Sequence, residues 1–397
     1  MVPKHIIAAQ IVRSFMASVS CFASSFLCFT IWCARNRLSS PYSRIIFGLS
    51  IADIFMSVGL LLGQVLSPAD TPDAIFSKGT IASCEAIGYI MLIGFFAYLL
   101  NTLCLTYYFL MRVKYKMTPQ DFAKRQEKVI CTFAWFYAIC ITSFALKRDE
   151  INGTQYGSVC SIATSPWECR TNEDIECIRG GGSRLTISIS GITMLLSFLC
   201  QFTVLTSFTC HIYKAESELE YTRESQTSSL TKQAAQQSIL YIVSFMIVYS
   251  GPVIAVFLRF SGNENPPGNF WIIAIFQSIG GFLNMLIYTR PKVIALKKTE
   301  PQIPTFICFL CVVLAGGEVP CLAEIMRPAS SVRESNIDHW ARVLGWDITS
   351  NNLDEELESR MRGVVVRNQE EEEDKVDNIS FEEDNINLSI DDTTRPL

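Results

Sequence analysis

Residues 44–66 read RIIFGLSIADIFMSVGLLLGQVL, a stretch in which Asp53 is the only charge after the opening Arg44. A helix needs roughly 20 mostly apolar residues to cross the hydrocarbon core, so this stretch reads as one crossing. Six more runs obey the same rule: residues 14–33, 84–111, 129–146, 185–210, 238–258 and 270–288. Backbone groups find no water in the core, which leaves helices or closed barrels, and the runs lack the ten-residue alternation of a barrel. The expectation is an all-α membrane protein, a seven-transmembrane helix bundle. The run 84–111 exceeds a vertical crossing and implies a tilt. The first run is apolar over more than the roughly 7–15 residues of a cleaved leader, and Arg35 and Arg37 follow it, so it counts as a span.

Composition agrees. Of 397 residues 49% are hydrophobic and only 18% charged, against about a quarter charged in soluble domains. From residue 351 onward 15 acids stand against 5 bases, while the first 350 residues carry a net charge of +5. A compact soluble enzyme, a nucleic-acid binder and a disulfide-knit secreted domain are poor fits. The run Glu370-Glu371-Glu372-Glu373-Asp374 belongs to a tail expected to be disordered and solvated.

Lys and Arg near span ends set the orientation. With the N-terminus outside, 16 such residues fall in cytoplasmic loops, among them Arg112, Lys114, Arg290 and Lys298, and 9 fall outside. The expected layout is a short extracellular N-terminus (1–13), the seven-span domain (14–298), a membrane-associated juxtamembrane segment (299–325) and an acidic cytoplasmic tail (326–397). Residues 303–314 are apolar over about 18 Å of helix, too short to cross. They read as an interfacial segment with Cys308 and Cys311 as palmitoylation sites; packing on the bundle without lipid is the equal alternative. The loop 214–232, with Thr222, Ser225, Thr227, Ser228, Ser229 and Thr231, reads equally as a phosphorylation substrate or a soluble linker.

Four cysteines fall outside in this topology: Cys84, Cys160, Cys169 and Cys177. An even number in an oxidising space suggests two disulfides. The spacing leaves the partner of Cys84 open among three; Cys160 is the pairing expected here. The same loop holds the sequon Asn152-Gly153-Thr154, a glycosylation candidate. Inside the spans, Asp53 is costly in hydrocarbon and marks function by default, with a neutral, hydrogen-bonded Asp as the plainer alternative. Asn101 and Asn284 are candidate partners, and Tyr288 lies one turn beyond Asn284. Pro252 interrupts the sixth span and bends it. The three histidines, His5, His211 and His339, sit at or beyond span ends, so no metal site is assembled.

This ordered set resembles the rhodopsin-like (class A) G-protein-coupled receptors. Leu49 to Asp53 looks like the family's second-helix motif, Trp135 like its fourth-helix tryptophan, Pro252 like its sixth-helix proline, and Asn284 to Tyr288 like its seventh-helix Asn-Pro-x-x-Tyr. Cys84 and the cysteine-bearing loop fit the same pattern. There are departures. Tyr108-Phe109-Leu110 stands where Asp-Arg-Tyr is expected, with Arg112 the nearest cation. Met285 replaces the seventh-helix proline, Tyr249-Ser250 stands where the sixth helix often has Cys-Trp, and Tyr98 and Gly280 occupy the sodium-site positions. The mixture is similar to divergent receptors of unicellular eukaryotes with slime-mould cyclic-AMP-receptor-like features.

The resemblance implies a receptor in the plasma membrane, without enzymatic activity or cofactor. A heterotrimeric G protein would be its partner, with no nucleic acid involved. An extracellular ligand would bind near Met91, Phe95, Tyr249 and Gln277. The span 270–288 has no lysine for a retinal Schiff base, and Met91 stands where an amine receptor needs a carboxylate. The switch would comprise Asp53, Asn101, Asn284, Tyr288 and Pro252, with Arg112 and Lys114 meeting the G protein. A seven-helix transporter or channel is the alternative, which wants several intramembrane charges and an internal repeat that the sequence lacks.

Overall fold

The computed structural model describes residues 4–314 apart from 34–37, 70, 72–75, 155–158, 167–168, 170–173, 220–226, 261–266, 300 and 302–303. The expected acidic tail, the end of the juxtamembrane segment and the middle of the Ser/Thr-rich loop lie outside these residues. The described residues fall in a unit spanning Met1–Ala323.

Among the described residues there are ten α-helices and one hairpin: α1 (Lys4–Cys33), α2 (Pro41–Leu66), α3 (Ile81–Val113), α4 (Pro119–Phe122), α5 (Lys128–Lys147), β1 (Ile151–Gly153), β2 (Cys160–Ile162), α6 (Ser183–Leu219), α7 (Thr227–Phe260), α8 (Pro267–Phe276), α9 (Gly280–Thr299) and α10 (Thr305–Leu314). Among the described residues seven stretches are long and apolar enough to cross a membrane. The chain is a multi-pass membrane protein. The fourth crossing runs Pro119–Lys147, joining α4 to α5 through a π turn, and the seventh runs Trp271–Lys298, joining α8 to α9 through a 3₁₀ turn.

Sequence chemistry fixes the helix starts. Ser40 caps α2 by accepting from the Ser43 amide, with Pro41 in the first turn. Thr80 and Ser83 cap α3 reciprocally. Thr118 caps α4 by accepting from the Asp121 amide. Several boundaries differ from the sequence reading by more than two turns: the fourth crossing begins at Pro119 rather than 129, α7 begins at Thr227 rather than 238, and the seventh crossing ends at Lys298 rather than 288. Helix α1 begins at Lys4, not near residue 14, because Ile6, Ala9, Gln10 and Arg13 are buried in the bundle. Polar side chains there made this turn look like a tail.

The third crossing is the axis of the bundle. Within its most apolar window 67% of residues are buried, against 22% for Ser183–Phe208 at the edge. Helix α3 lies closest to α2, and glycine makes the approach possible. A side chain at Gly94 would press on backbone atoms of α2, at 2.7 Å from the Ala52 carbonyl oxygen and 2.9 Å from the Phe55 carbonyl carbon. Ile46, Leu49, Ala52 and Met56 from α2 and Phe96, Ala97, Leu99 and Leu105 from α3 fill the core. Outward-facing rings and leucines remain bare, among them Phe15, Phe22 and Phe29 on α1, Phe133 and Phe136 on α5, and Leu196, Leu199 and Phe202 on α6. In water so large an apolar surface would invite association; a bilayer covers it.

The hairpin pairs Ile151 with Ile162 and Gly153 with Cys160. Cys160 is disulfide-bonded to Cys84 in the first turn of α3, and Cys169 to Cys177. Gly88 lets the hairpin lie on α3: a side chain there would run into Ile151 and the Cys160 carbonyl. Helix α10 packs Cys308 and Val312 against Val293 and Leu296 of α9. The contact joins α10 to the end of the seventh crossing. Cys308 is fully buried there and does not present its thiol for acylation; the Cys311 side chain lies outside the described set.

Substituting Gly94 by alanine should therefore separate α2 from α3 and cost about 1–3 kcal/mol, the usual price of overpacking. The purified protein in detergent should melt at a lower temperature. An unchanged melting temperature would show that the helices do not meet this closely.

Candidate functional site

Asp53 is fully buried halfway along α2. An unsatisfied carboxylate at this depth is costly, and hydroxyl groups answer it. Ser24 and Ser20 of α1 donate to Oδ2 at 2.8 and 3.0 Å, and Ser57, one turn along α2, reaches the same oxygen at 3.4 Å. Ser20 also accepts from the Gly281 amide of α9 at 2.7 Å. The cradle thereby joins α1, α2 and α9. Oδ1 has no hydrogen-bond donor among the described residues. It faces Gly280, as does the Tyr98 hydroxyl. Tyr98 in turn accepts from Asn284 Nδ2 at 3.1 Å. Among the described residues no cluster could hold a metal ion.

The expected polar network is thus divided. Asn101 turns away from Asp53: its amide donates to the Ala97 carbonyl at 2.8 Å, and its oxygen faces Gly48 beside the Trp135 ring. Tyr288 also belongs elsewhere, stacked on Tyr42 with ring centroids 6.0 Å apart. The residues that do surround Asp53 carried a weak signal, a serine pair four apart in the first span (Ser20, Ser24) and Ser57 four residues after Asp53.

Toward the Cys84 end an aromatic layer spans α3 and α7. Tyr249 is fully buried, donates to the Phe95 carbonyl at 3.3 Å and stacks on Phe245 at 4.6 Å and Tyr98 at 6.1 Å. The structure therefore brings Phe95 and Tyr249 together. Met91 is a correction. It lies against α2, where Gly59 leaves room for it. Gln277 is half-buried in the 3₁₀ turn between α8 and α9. Pro252 sits inside α7 without ending it, and the neighbouring Gly251 lies against Ile273 of α8.

The loop above this layer is held by Arg179, which bonds to Glu85 at the start of α3, to Asp149 at 3.2 Å and to Asn152 Oδ1 at 3.1 Å. This corrects the glycosylation assignment. Asn152 is buried, and its amide nitrogen donates to the Asp149 and Ala163 carbonyls at 3.0 and 2.8 Å. A sugar on that nitrogen is incompatible with the hairpin. A three-residue sequon carries no information about burial.

At the opposite end lies a cleft of about 620 Å³ between α2, α3, α7 and α9. Tyr42, Tyr108, Phe109 and Tyr288 form its aromatic floor, and Arg112, Arg290, Lys292 and Lys298 bring positive charge, with no carboxylate among its lining residues. Arg112 lies in the last turn of α3 and donates to the Met117 carbonyl at 3.2 Å. Lys114, the residue after α3, lies over the Tyr115 ring and is not part of the lining. Beside the cleft, Arg44 meets Glu127 in a two-pronged ion pair at 2.5 and 2.6 Å, tying α2 to the turn before α5.

No protein-family model matches the sequence, and no curated protein does. Among solved structures the fold is similar to that of squid rhodopsin, with a TM-score of 0.51 and 16% identity, covering 80% of this chain and 93% of that one. The chain thus has a rhodopsin-like fold.

Treatment with a peptide-N-glycosidase should leave the electrophoretic mobility of the expressed protein unchanged if Asn152 is bonded as described. A shift that disappears in Asn152→Gln would overturn the buried geometry.

Proposed function

We propose that this protein is a G-protein-coupled receptor that carries an extracellular signal to a heterotrimeric G protein. Supporting the reading above all is the cleft at the Arg112 end, set between four helices of a rhodopsin-like bundle, aromatic within and cationic at its edge. The excess of Lys and Arg in the loops at this end assigns it to the cytosol, and the disulfide-pinned hairpin to the outside of the plasma membrane.

The ligand site in this proposal lies between α3, α7 and α8 around Phe95, Tyr249 and Gln277. An apolar or zwitterionic ligand suits it, and the divergent pattern makes cyclic nucleotides worth testing. A ligand shifts a two-state equilibrium only through unequal affinity for the two states. Here the inequality would arise at the Tyr249 to Phe95 contact, because that bond joins the two helices whose spacing the ligand reads. Asp53 sits beneath this layer and sets how α1, α2 and α9 pack. Arg112 meets the G protein at the cleft.

The test is energy transfer between the tagged receptor and a panel of tagged heterotrimers, in cells challenged with extract fractions and cyclic nucleotides. A response with any heterotrimer is expected. Asp53→Asn should reach the cell surface normally and lower the response by about 5- to 150-fold, the range of measured couplings. Silence across the panel from a surface-delivered receptor would count against the reading, and loss of surface delivery in Asp53→Asn would make Asp53 structural.

A further inference from the structure

The cleft has a floor that its expected function requires to open, and one side chain joins its walls. Tyr42, in the first turn of α2, places its hydroxyl 3.0 Å from the Tyr241 hydroxyl and accepts from Gln237 Nε2 at 3.0 Å; both partners are on α7. Gln237 also donates to the Ile287 carbonyl of α9 at 3.0 Å. The Tyr42 ring stacks on Tyr288 of α9 at 6.0 Å, lies 6.5 Å from Tyr108 and 5.8 Å from Phe109 of α3. Four helices meet at this ring.

We infer that Tyr42 is the latch that holds the cleft shut, its hydroxyl fastening α7 to α2 and, through Gln237, to α9. The inference rests on the receptor reading and names the regulation of the same cleft. Three observations carry it. First, Gln237 and Tyr241 are buried, so their bonds to Tyr42 are shielded from water, where a lost partner is costly. Second, both walls that Tyr42 ties to α2 have a weakened backbone, since Pro252 removes one helical hydrogen bond of α7 above the knot and Pro291 removes one of α9 beside it. Third, among the described residues no carboxylate lines the cleft to pair with Arg112, which instead donates to the Met117 carbonyl. Among the described residues the cross-links between the cleft walls are hydroxyl and amide bonds.

Tyr42→Phe keeps the ring and its stacking and removes only the hydroxyl. A neutral hydrogen bond corresponds to about two- to tenfold in an equilibrium constant, so basal coupling in the absence of ligand should rise by that factor. Tyr241→Phe should do the same. The double variant should exceed neither single one by more than about twofold, because the two hydroxyls share one interaction. A second readout does not depend on any G protein. Donor and acceptor dyes on encoded azide-bearing residues at the exposed positions 39 and 236 report the distance from α2 to α7 in the purified receptor in lipid nanodiscs. Lower transfer in Tyr42→Phe than in the labelled parent is expected. Equal transfer in both Tyr42→Phe and Tyr241→Phe would overturn the latch. Lower transfer with no heterotrimer responding would uphold the latch and overturn the coupling. Should Tyr42→Phe fail to reach the membrane, Gln237→Leu, which removes the bond between α7 and α9, takes its place with the same expectations.

Discussion

A carboxylate in the middle of a membrane bundle has to be answered by donors, and the answer to Asp53 constrains most of what surrounds it. Ser20 and Ser24 must lie on the face of α1 that meets α2, which fixes the rotation of α1. The Gly281 amide must come within reach of Ser20, which fixes the depth of α9. Gly281 has to be glycine, because a side chain there would occupy the space of the Ser24 hydroxyl and the carboxylate. Removing Asp53 would leave three hydroxyls facing one another, so the cradle and the acid specify each other. Buried polar groups of this kind are valuable less for net stability than for admitting one arrangement.

Around that cradle the remaining contacts sort by height. On the Cys84 side are the aromatic layer and the hairpin, whose covalent tie to α3 and hold through Arg179 keep the loop on the helix ends. On the other side are the Tyr42 knot and the Arg44 to Glu127 pair. Only about a third of the Arg44 side chain is exposed and Glu127 is nearly buried, a setting in which a two-pronged pair fixes geometry more than it stabilises. It anchors the start of α2, and with it the position from which Tyr42 reaches across to α7.

The seven crossings and the central acid were legible in the sequence because each depends on local composition; the Cys84 to Cys160 bridge was one of three pairings that the spacing left open. What escaped depends on rotation about a helix axis. Met91 and Asn101 stand at depths that suited a ligand contact and an Asp53 partner, yet both turn toward other neighbours, because glycines at 59 and 48 draw α3 onto α2 there. The knot escaped for another reason. A hydropathy reading starts the second crossing at Arg44, so Tyr42 fell in a loop, whereas Ser40 and Pro41 start the helix early enough to place it against the bundle. Asn152 was misread because a sequon describes sequence and the hairpin decides exposure.

The two ends of the bundle are joined by one helix face. Tyr241, Phe245 and Tyr249 follow one another at intervals of four along α7, so their rings lie on one side. Tyr249 meets Phe95 and Tyr98 near the Cys84 end, Phe245 stacks beneath it, and Tyr241 meets Phe109 and the Tyr42 hydroxyl at the cleft. A rotation of α7 sufficient to pull Tyr249 from the Phe95 carbonyl also turns Tyr241 away from Tyr42, since the intervening backbone is helical throughout. The bond that Pro252 removes would have run to the Val248 carbonyl, so the bend falls across Tyr249, while Tyr241 and Phe245 stand on the unbroken turns before it. Coupling between distant sites requires an element with two arrangements that both sites bias. Under the proposed receptor function that element would be the segment of α7 from Tyr241 to Tyr249, held at one end by the aromatic layer and at the other by the Tyr42 knot.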